Sequence, residues 1–117
     1  MIVSKGIRGA ITVEENSEEA IKLATLELLE NLVKKNNLNK NDISHVIFSL
    51  TKDLNKAFPA KFARLNFGWD FVPMMCFNEA EIENALSMCI RILIVINCDK
   101  NFSPEFVYLK GAKNLRK

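Results

Sequence analysis

The stretch "CIRILIVIN", Cys89 to Asn97, decides the fold. Read as a strand, its alternation puts Ile90, Ile92, Ile94 and Ile96 on one face. Cys89, Arg91, Leu93, Val95 and Asn97 fall on the other. Four β-branched side chains in a row require an apolar layer against them. The second face is mixed, apolar in its middle and polar at its ends. Arg91 is the anomaly, a permanent cation beside a core strand.

Working outward, "FVYLK" (106–110) reads as a further short strand and "GAKNLRK" (111–117) as a tail. Upstream, "NEAEIENALSM" (78–88) is expected to form an amphipathic helix with Glu79 in its first turn, where the helix dipole favours a carboxylate. "WDFVPMMCF" (69–77) reads as a strand, and its Pro73 argues for an edge position or an irregular end. "PAKFARLNFG" (59–68) is a short helix opened by Pro59, whose missing N–H matters least in the first turn, and stopped by Gly68. "KDLNKAF" is loop, and "ISHVIFSLT" (43–51) is a strand. The long segment "NSEEAIKLATLELLENLVKKNN" (16–37) repeats Ile21, Ala24, Leu28 and Leu32 on one face. Asn16 or Ser17 stands at its cap, with Glu18 and Glu19 in its first turn and Lys34 and Lys35 in its last. "MIVSKGIRGAITVEE" (1–15) is the opening strand, with Arg8, Ala10 and Thr12 on one face and Ile7, Gly9, Ile11 and Val13 on the other. Four or five strands and three helices in mixed order give an α+β (mixed α/β) layered fold.

A chain of 117 residues, 49% hydrophobic and 26% charged, is expected to form one domain over residues 1–117. A large pocket would consume much of so small a core, so a site between subunits suits it. The formal charge of +2 and the absence of a basic block interleaved with aromatics argue against nucleic-acid binding. Three cysteines without metal spacing suit a reducing compartment. No apolar run approaches a membrane span, and the N-terminus meets an acidic pair too soon for a signal peptide, so the expected location is cytoplasmic, with no membrane partner.

Arg91 has two open readings: a cation that snorkels or pairs with a structural carboxylate, and a cation aimed into a cleft at an anion. Arg8 repeats the anomaly. With Lys61 and Arg64 at i, i+3 and with Arg116, the chain holds five cations that could surround a cleft. Arginine's planar fork favours a small carboxylate-bearing ligand. Ordinary solvated surface is the plainer account of Lys61 and Arg116, and half-buried packing that of Tyr108. The single histidine, His45, has no catalytic partner nearby in sequence, and no metal, phosphate-loop or triad motif occurs, so no metal and no cofactor are expected. Reactions that need only placed charge and confinement remain.

The segments "GIRGAITVEENSEEAI", "FPAKFAR", "GWDFVPMMCFNE", "CIRILIVIN" and "VYLKGAKNLR" closely resemble the AroH class of monofunctional chorismate mutases, in order and over nearly the whole chain. The resemblance implies rearrangement of chorismate to prephenate in phenylalanine and tyrosine biosynthesis. It also implies a homotrimer with a barrel-like (pseudo-barrel) assembly of sheets and active sites between neighbours. By motif, Arg8 corresponds to an arginine gripping a substrate carboxylate, and Arg91 to one set against the ether oxygen and a carboxylate. Glu79 corresponds to the acceptor for the ring hydroxyl, with Cys76 lining the same region, and Tyr108 to a donor to a carboxylate. Phe58, Ala60, Lys61 and Arg64 match a helix at the pocket mouth, and Leu115 and Arg116 a C-terminal segment closing over it. Met75 stands where the pattern has a threonine. The spacing between "CIR" and "VYL" is one residue shorter, and the tail ending at Lys117 implies looser closure. The alternatives kept beside this are an imine/enamine deaminase on a related trimeric scaffold and a non-catalytic dicarboxylate-binding module.

Overall fold

The isoleucine face of the deciding strand finds its layer in the long helix. The computed structural model describes residues 1–115. Its elements run β1 (Ile2–Thr12), α1 (Glu18–Asn36), β2 (Ile43–Leu50), α2 (Pro59–Phe67), β3 (Met74–Asn78), β4 (Cys89–Asp99) and β5 (Val107–Leu109). Short 3-10 turns cover Lys40–Asp42 and Lys110–Ala112. The five strands form one mixed sheet in the order β3-β2-β4-β1-β5. β4 is central and antiparallel to both β1 and β2; β3 runs parallel to β2, and β5 parallel to β1.

Both helices lie on one face of the sheet. Ile90, Ile92, Ile94 and Ile96 join Ile7, Ile11, Leu28, Leu29, Leu32, Phe62 and Ala63 in one buried cluster. Burying a large apolar side chain is worth about 1.5–3 kcal/mol, so this layer is the main source of stability. At Gly9 the helix sits against the strand so closely that a Cβ would lie 3.0 Å from Leu32 Cδ1 and 3.1 Å from Ile92 Cγ2. Ser17 caps α1 by accepting from the Ala20 N–H at 3.1 Å, while Asn37 ends it in the left-handed conformation. Asn16 instead ties to Asn55. Pro59 opens α2 and Gly68 closes it at φ 70°. Pro73 precedes β3, which is indeed an edge strand.

The helix expected over "NEAEIENALSM" does not form. Asn78 ends β3, and the Glu79 N–H donates to the Leu50 carbonyl at 2.8 Å, continuing the ladder one step further. From there the chain is irregular, with Asn84 and Met88 at positive φ. Ile82 and Ala85 are exposed, so the first part of the would-be apolar face has no layer to cover it. Short helices are held mainly by tertiary packing, and here only Leu86 and Met88, at the end of the segment, find any. The fold is therefore α+β with two α-helices among the described residues.

Among the described residues the other face of the sheet carries no α-helix; the Lys110–Ala112 turn and Leu115 cover only its Ala10–Cys89 end. Its rows can be read from the register. Tyr108, Ala10, Arg91, Ser49 and Phe77 form one row, and Arg8, Leu93, Ile47 and Met75 lie in the next. Neighbouring strands stand about 4.8 Å apart, so side chains in a row are in mutual reach.

Candidate active site

β4 enters the sheet through Met88, at φ 50°, and three residues later it presents Arg91 on the open face. Two side chains at the end of β2 fix this entry. The Asp53 carboxylate accepts from the Met88 N–H at 3.1 and 3.2 Å, and the Cys89 N–H donates to Thr51 Oγ1 at 3.0 Å. The Thr51 hydroxyl in turn donates to Asp53. Strand position and guanidinium position are set together.

Arg91 Nε lies 2.8 Å from Glu79 Oε1, with 30% and 20% of the two side chains exposed. The approach is an ion-pair contact off the N–H axis; Nε makes no directed hydrogen bond. Among the described residues Glu79 is the only carboxylate at ion-pairing distance from Arg91. Of the two readings of Arg91, the contact fits the one in which it pairs with a carboxylate, and the side chain stays partly exposed on the open face. Glu79 comes from the irregular segment, not from a helix, so no helix dipole acts on it. Ser49 Oγ donates to the same Oε1 at 2.8 Å. Sequence reading missed Ser49, because a serine in a strand gives no periodic signal; only the register with Arg91 reveals it.

Arg8 shares the open face, one strand over and one row down from Arg91, and forms no ion pair among the described residues. Tyr108 sits beside Ala10, its hydroxyl buried and without a hydrogen-bond partner among the described residues. Leu115 packs with Tyr108, Ala10, Cys89 and Ala112. Arg116 lies outside the described residues. Arg8, Glu79, Arg91, Tyr108 and Leu115 therefore belong to one region of the open face.

The remaining site candidates gather elsewhere. Phe58 stands at the N-cap of α2, and Ala60, Lys61 and Arg64 ride on the helix, whose Phe62 and Ala63 enter the core on the helix side of the sheet. Phe58 is 69% exposed, and Lys61 pairs with Glu18 at 3.0 Å. Phe58, Lys61, Leu50 and Asn78 line a cleft of about 450 Å³. Cys76 faces this side too, beside the Ala60 backbone; burial pushes its thiol pKa up, and the Ala60 contact draws it partly back. It does not reach the Arg91–Glu79 pair. Met75 is on the open face but at the edge strand, 61% exposed.

Cys89 lies beside Arg91 on the same face, fully buried, and desolvation pushes its thiol up to about 11, against a smaller downward pull from Arg91. It is a packing group rather than a nucleophile, since only the thiolate attacks. Among the described residues no cluster of histidine, cysteine, aspartate and glutamate could hold a metal, and no helix is long and apolar enough to cross a membrane.

A cation, a carboxylate acceptor and a phenol fixed on one open sheet face define a class: a small α+β protein built to hold an anionic organic molecule against placed charges. Comparison with known proteins narrows the class. Residues 4–117 match the family model described as chorismate mutase type I. The chain is 39% identical over 113 residues to chorismate mutase AroH of Bacillus subtilis, covering 96% of this chain and 89% of that protein. It is 41% identical over 117 residues to chorismate mutase AroH of Thermus thermophilus, covering 96% and 93%. A solved structure of a chorismate mutase from Clostridium thermocellum superposes with a TM-score of 0.88 at 44% identity, covering 93% and 97%. The chain belongs to the chorismate mutase type I family, and its activity is that of an isomerase.

Proposed function

We propose that Arg91, Glu79, Arg8 and Tyr108 carry the chorismate mutase reaction in this chain, within a single domain spanning residues 1–117. The observation that carries this reading is the half-buried Arg91–Glu79 pair on the open face, with Arg8 and Tyr108 in the same and adjoining rows.

Chorismate brings two carboxylates, a ring hydroxyl and the ether oxygen whose bond breaks. In the rearrangement to prephenate that C–O bond breaks while a C–C bond forms, and the electron pairs move around a six-membered ring. No proton or nucleophile takes part. Negative charge collects on the ether oxygen when bond breaking runs ahead of bond making. A guanidinium aimed there holds the transition state more tightly than the ground state. Arg91 supplies that charge. Arg8, Tyr108 and Arg116 bind the carboxylates and keep the substrate in its compact, reactive conformer. Glu79, acting as an acceptor, takes the ring hydroxyl hydrogen bond. Its link to Ser49 and its contact with Arg91 already hold it in an accepting role.

Phe58, Ala60, Lys61, Arg64, Met75 and Cys76 complete the site from a neighbouring copy in a homotrimer. Two features support this. In one chain these residues lie on α2 and the edge strand, away from Arg91. The open face also leaves Ile47, Leu93 and Val95 half-exposed with no layer over them. Leu115 and Arg116 close over the bound substrate. A cytoplasmic location fits the three free cysteines. The test is loss of chorismate absorbance with purified protein and no added metal or cofactor. Arg91→Ala and Glu79→Gln are each expected to reduce turnover strongly in a folded protein; full activity in both would overturn the assignment.

A further inference from the structure

We propose that Ser49 is a positioning residue for Glu79, setting the carboxylate so that one oxygen stays free for the substrate. The inference rests on the reading of Glu79 as the acceptor for the ring hydroxyl. Glu79 stands at the start of an irregular segment, so no helical turn restricts its side chain. Its backbone is held by the Leu50 carbonyl at 2.8 Å, and its carboxylate by the neighbouring Ser49 hydroxyl at 2.8 Å. The end of β2 therefore grips Glu79 twice. Ser49 is also the register partner of Arg91, so its hydroxyl sits in the same row as the guanidinium.

The two contacts fall on one atom. Oε1 receives the Ser49 hydrogen bond and faces Arg91 Nε at 2.8 Å, while Oε2 accepts no hydrogen bond among the described residues. A carboxylate held only by Arg91 can rotate into the bidentate pairing that arginine favours. That rotation would occupy both oxygens and draw the guanidinium off its aim. The serine hydroxyl opposes it by anchoring Oε1 from the strand side. Hydrogen bonds to charged groups are among the stronger ones in proteins, and this one is half-buried.

The experiment is a double-mutant cycle on chorismate turnover with Ser49→Ala, Ser49→Thr, Glu79→Gln and the Ser49→Ala/Glu79→Gln pair. Ser49→Ala is expected to lower kcat/KM about tenfold, most of it in kcat. Ser49→Thr, which keeps the hydroxyl on a side chain suited to a strand, restores activity to within about twofold of wild type. In the Glu79→Gln background Ser49→Ala adds less than about twofold, because the group it positions has changed. Ser49→Cys, nearly isosteric but a weaker donor, falls between alanine and wild type and is the second variant should alanine fold poorly. Wild-type turnover in Ser49→Ala while Glu79→Gln is impaired overturns the role of Ser49 alone. Fully multiplicative losses do the same, since a merely structural serine gives that result. Wild-type turnover in Glu79→Gln overturns the reading of Glu79 and this inference with it.

Discussion

Arginine and lysine carry the same charge, yet only the guanidinium presents a planar fork that can contact Glu79 with one nitrogen and leave others for an anionic ligand. Arg91→Lys is therefore expected to cut kcat by about 10²-fold or more, the scale for losing one preorganised charged contact at the transition state. Arg91→Ala should lose at least as much. Steady-state kinetics decide it, and a lysine variant with near-wild-type kcat would contradict the role. Two residues before it on the same face, Cys89 makes a separate prediction. Its thiol is raised to about 11 in the fold from an ordinary value of 9.0. Folded protein then binds more protons than unfolded chain between those values, so stability falls as pH rises through that window. Below pH 9 the contribution is fully present. Urea unfolding across pH 8 to 11 should show a loss on the order of 2 kcal/mol in wild type that is absent from the pH slope of Cys89→Ala. Equal slopes would mean that burial does not hold the thiol neutral.

The elements differ in how plainly their sequences announce them. α1 carries a cap, charges matched to the dipole and a stripe at i, i+3 and i+4, all of which the fold uses. β4 was legible because alternation sorts Ile90, Ile92, Ile94 and Ile96 from Arg91 without any knowledge of neighbours. The segment after β3 was not legible. Its apolar spacing imitates a helix, but Ile82 and Ala85 have no surface to pack against, and the Leu50 carbonyl takes the Glu79 N–H. Ser49 and Asp53 were invisible for a related reason: their value lies in partners some 30 residues away. The tight contact between helix and sheet offers a test at this scale. Gly9→Ala inserts a methyl 3.0–3.2 Å from side-chain atoms of Leu28, Leu32 and Ile92. Overpacking of this kind costs typically 1–3 kcal/mol. A thermal melt should show Tm lowered by about 4 °C or more, with a cooperative transition retained. An unchanged Tm would mean that α1 can move off the strand without loss.

At the scale of the whole molecule, the division of site residues between two regions of one chain has a consequence that can be counted. If Arg91 acts from one subunit and Arg64 from its neighbour, an Arg91→Ala chain still offers an intact Arg64, and an Arg64→Ala chain an intact Arg91. Each homotrimer of either variant should be nearly inactive. Unfolded together in equal amounts and refolded, the two chains mix at random, and each interface needs the right chain on each side. About a quarter of the sites then combine an intact Arg91 with an intact Arg64, so activity should return to about a quarter of wild type. No recovery, in mixed oligomers verified by mass, would place both arginines in a site within one chain. The open sheet face makes the companion prediction. Leu93 stands in the row with Arg8, Ile47 and Met75, half-exposed in the single chain. A charge there would have to be desolvated if a neighbour covers the row, at a penalty of several kcal/mol. Wild type is expected to sediment at three times the chain mass, and Leu93→Glu as a monomer with native circular dichroism and little turnover. A wild-type monomer that is active at nanomolar concentration would instead require Arg91 to work on an uncovered sheet. In that case α2 and β3 would lose any part in binding, and the exposure of Phe58 and Met75 would be ordinary surface.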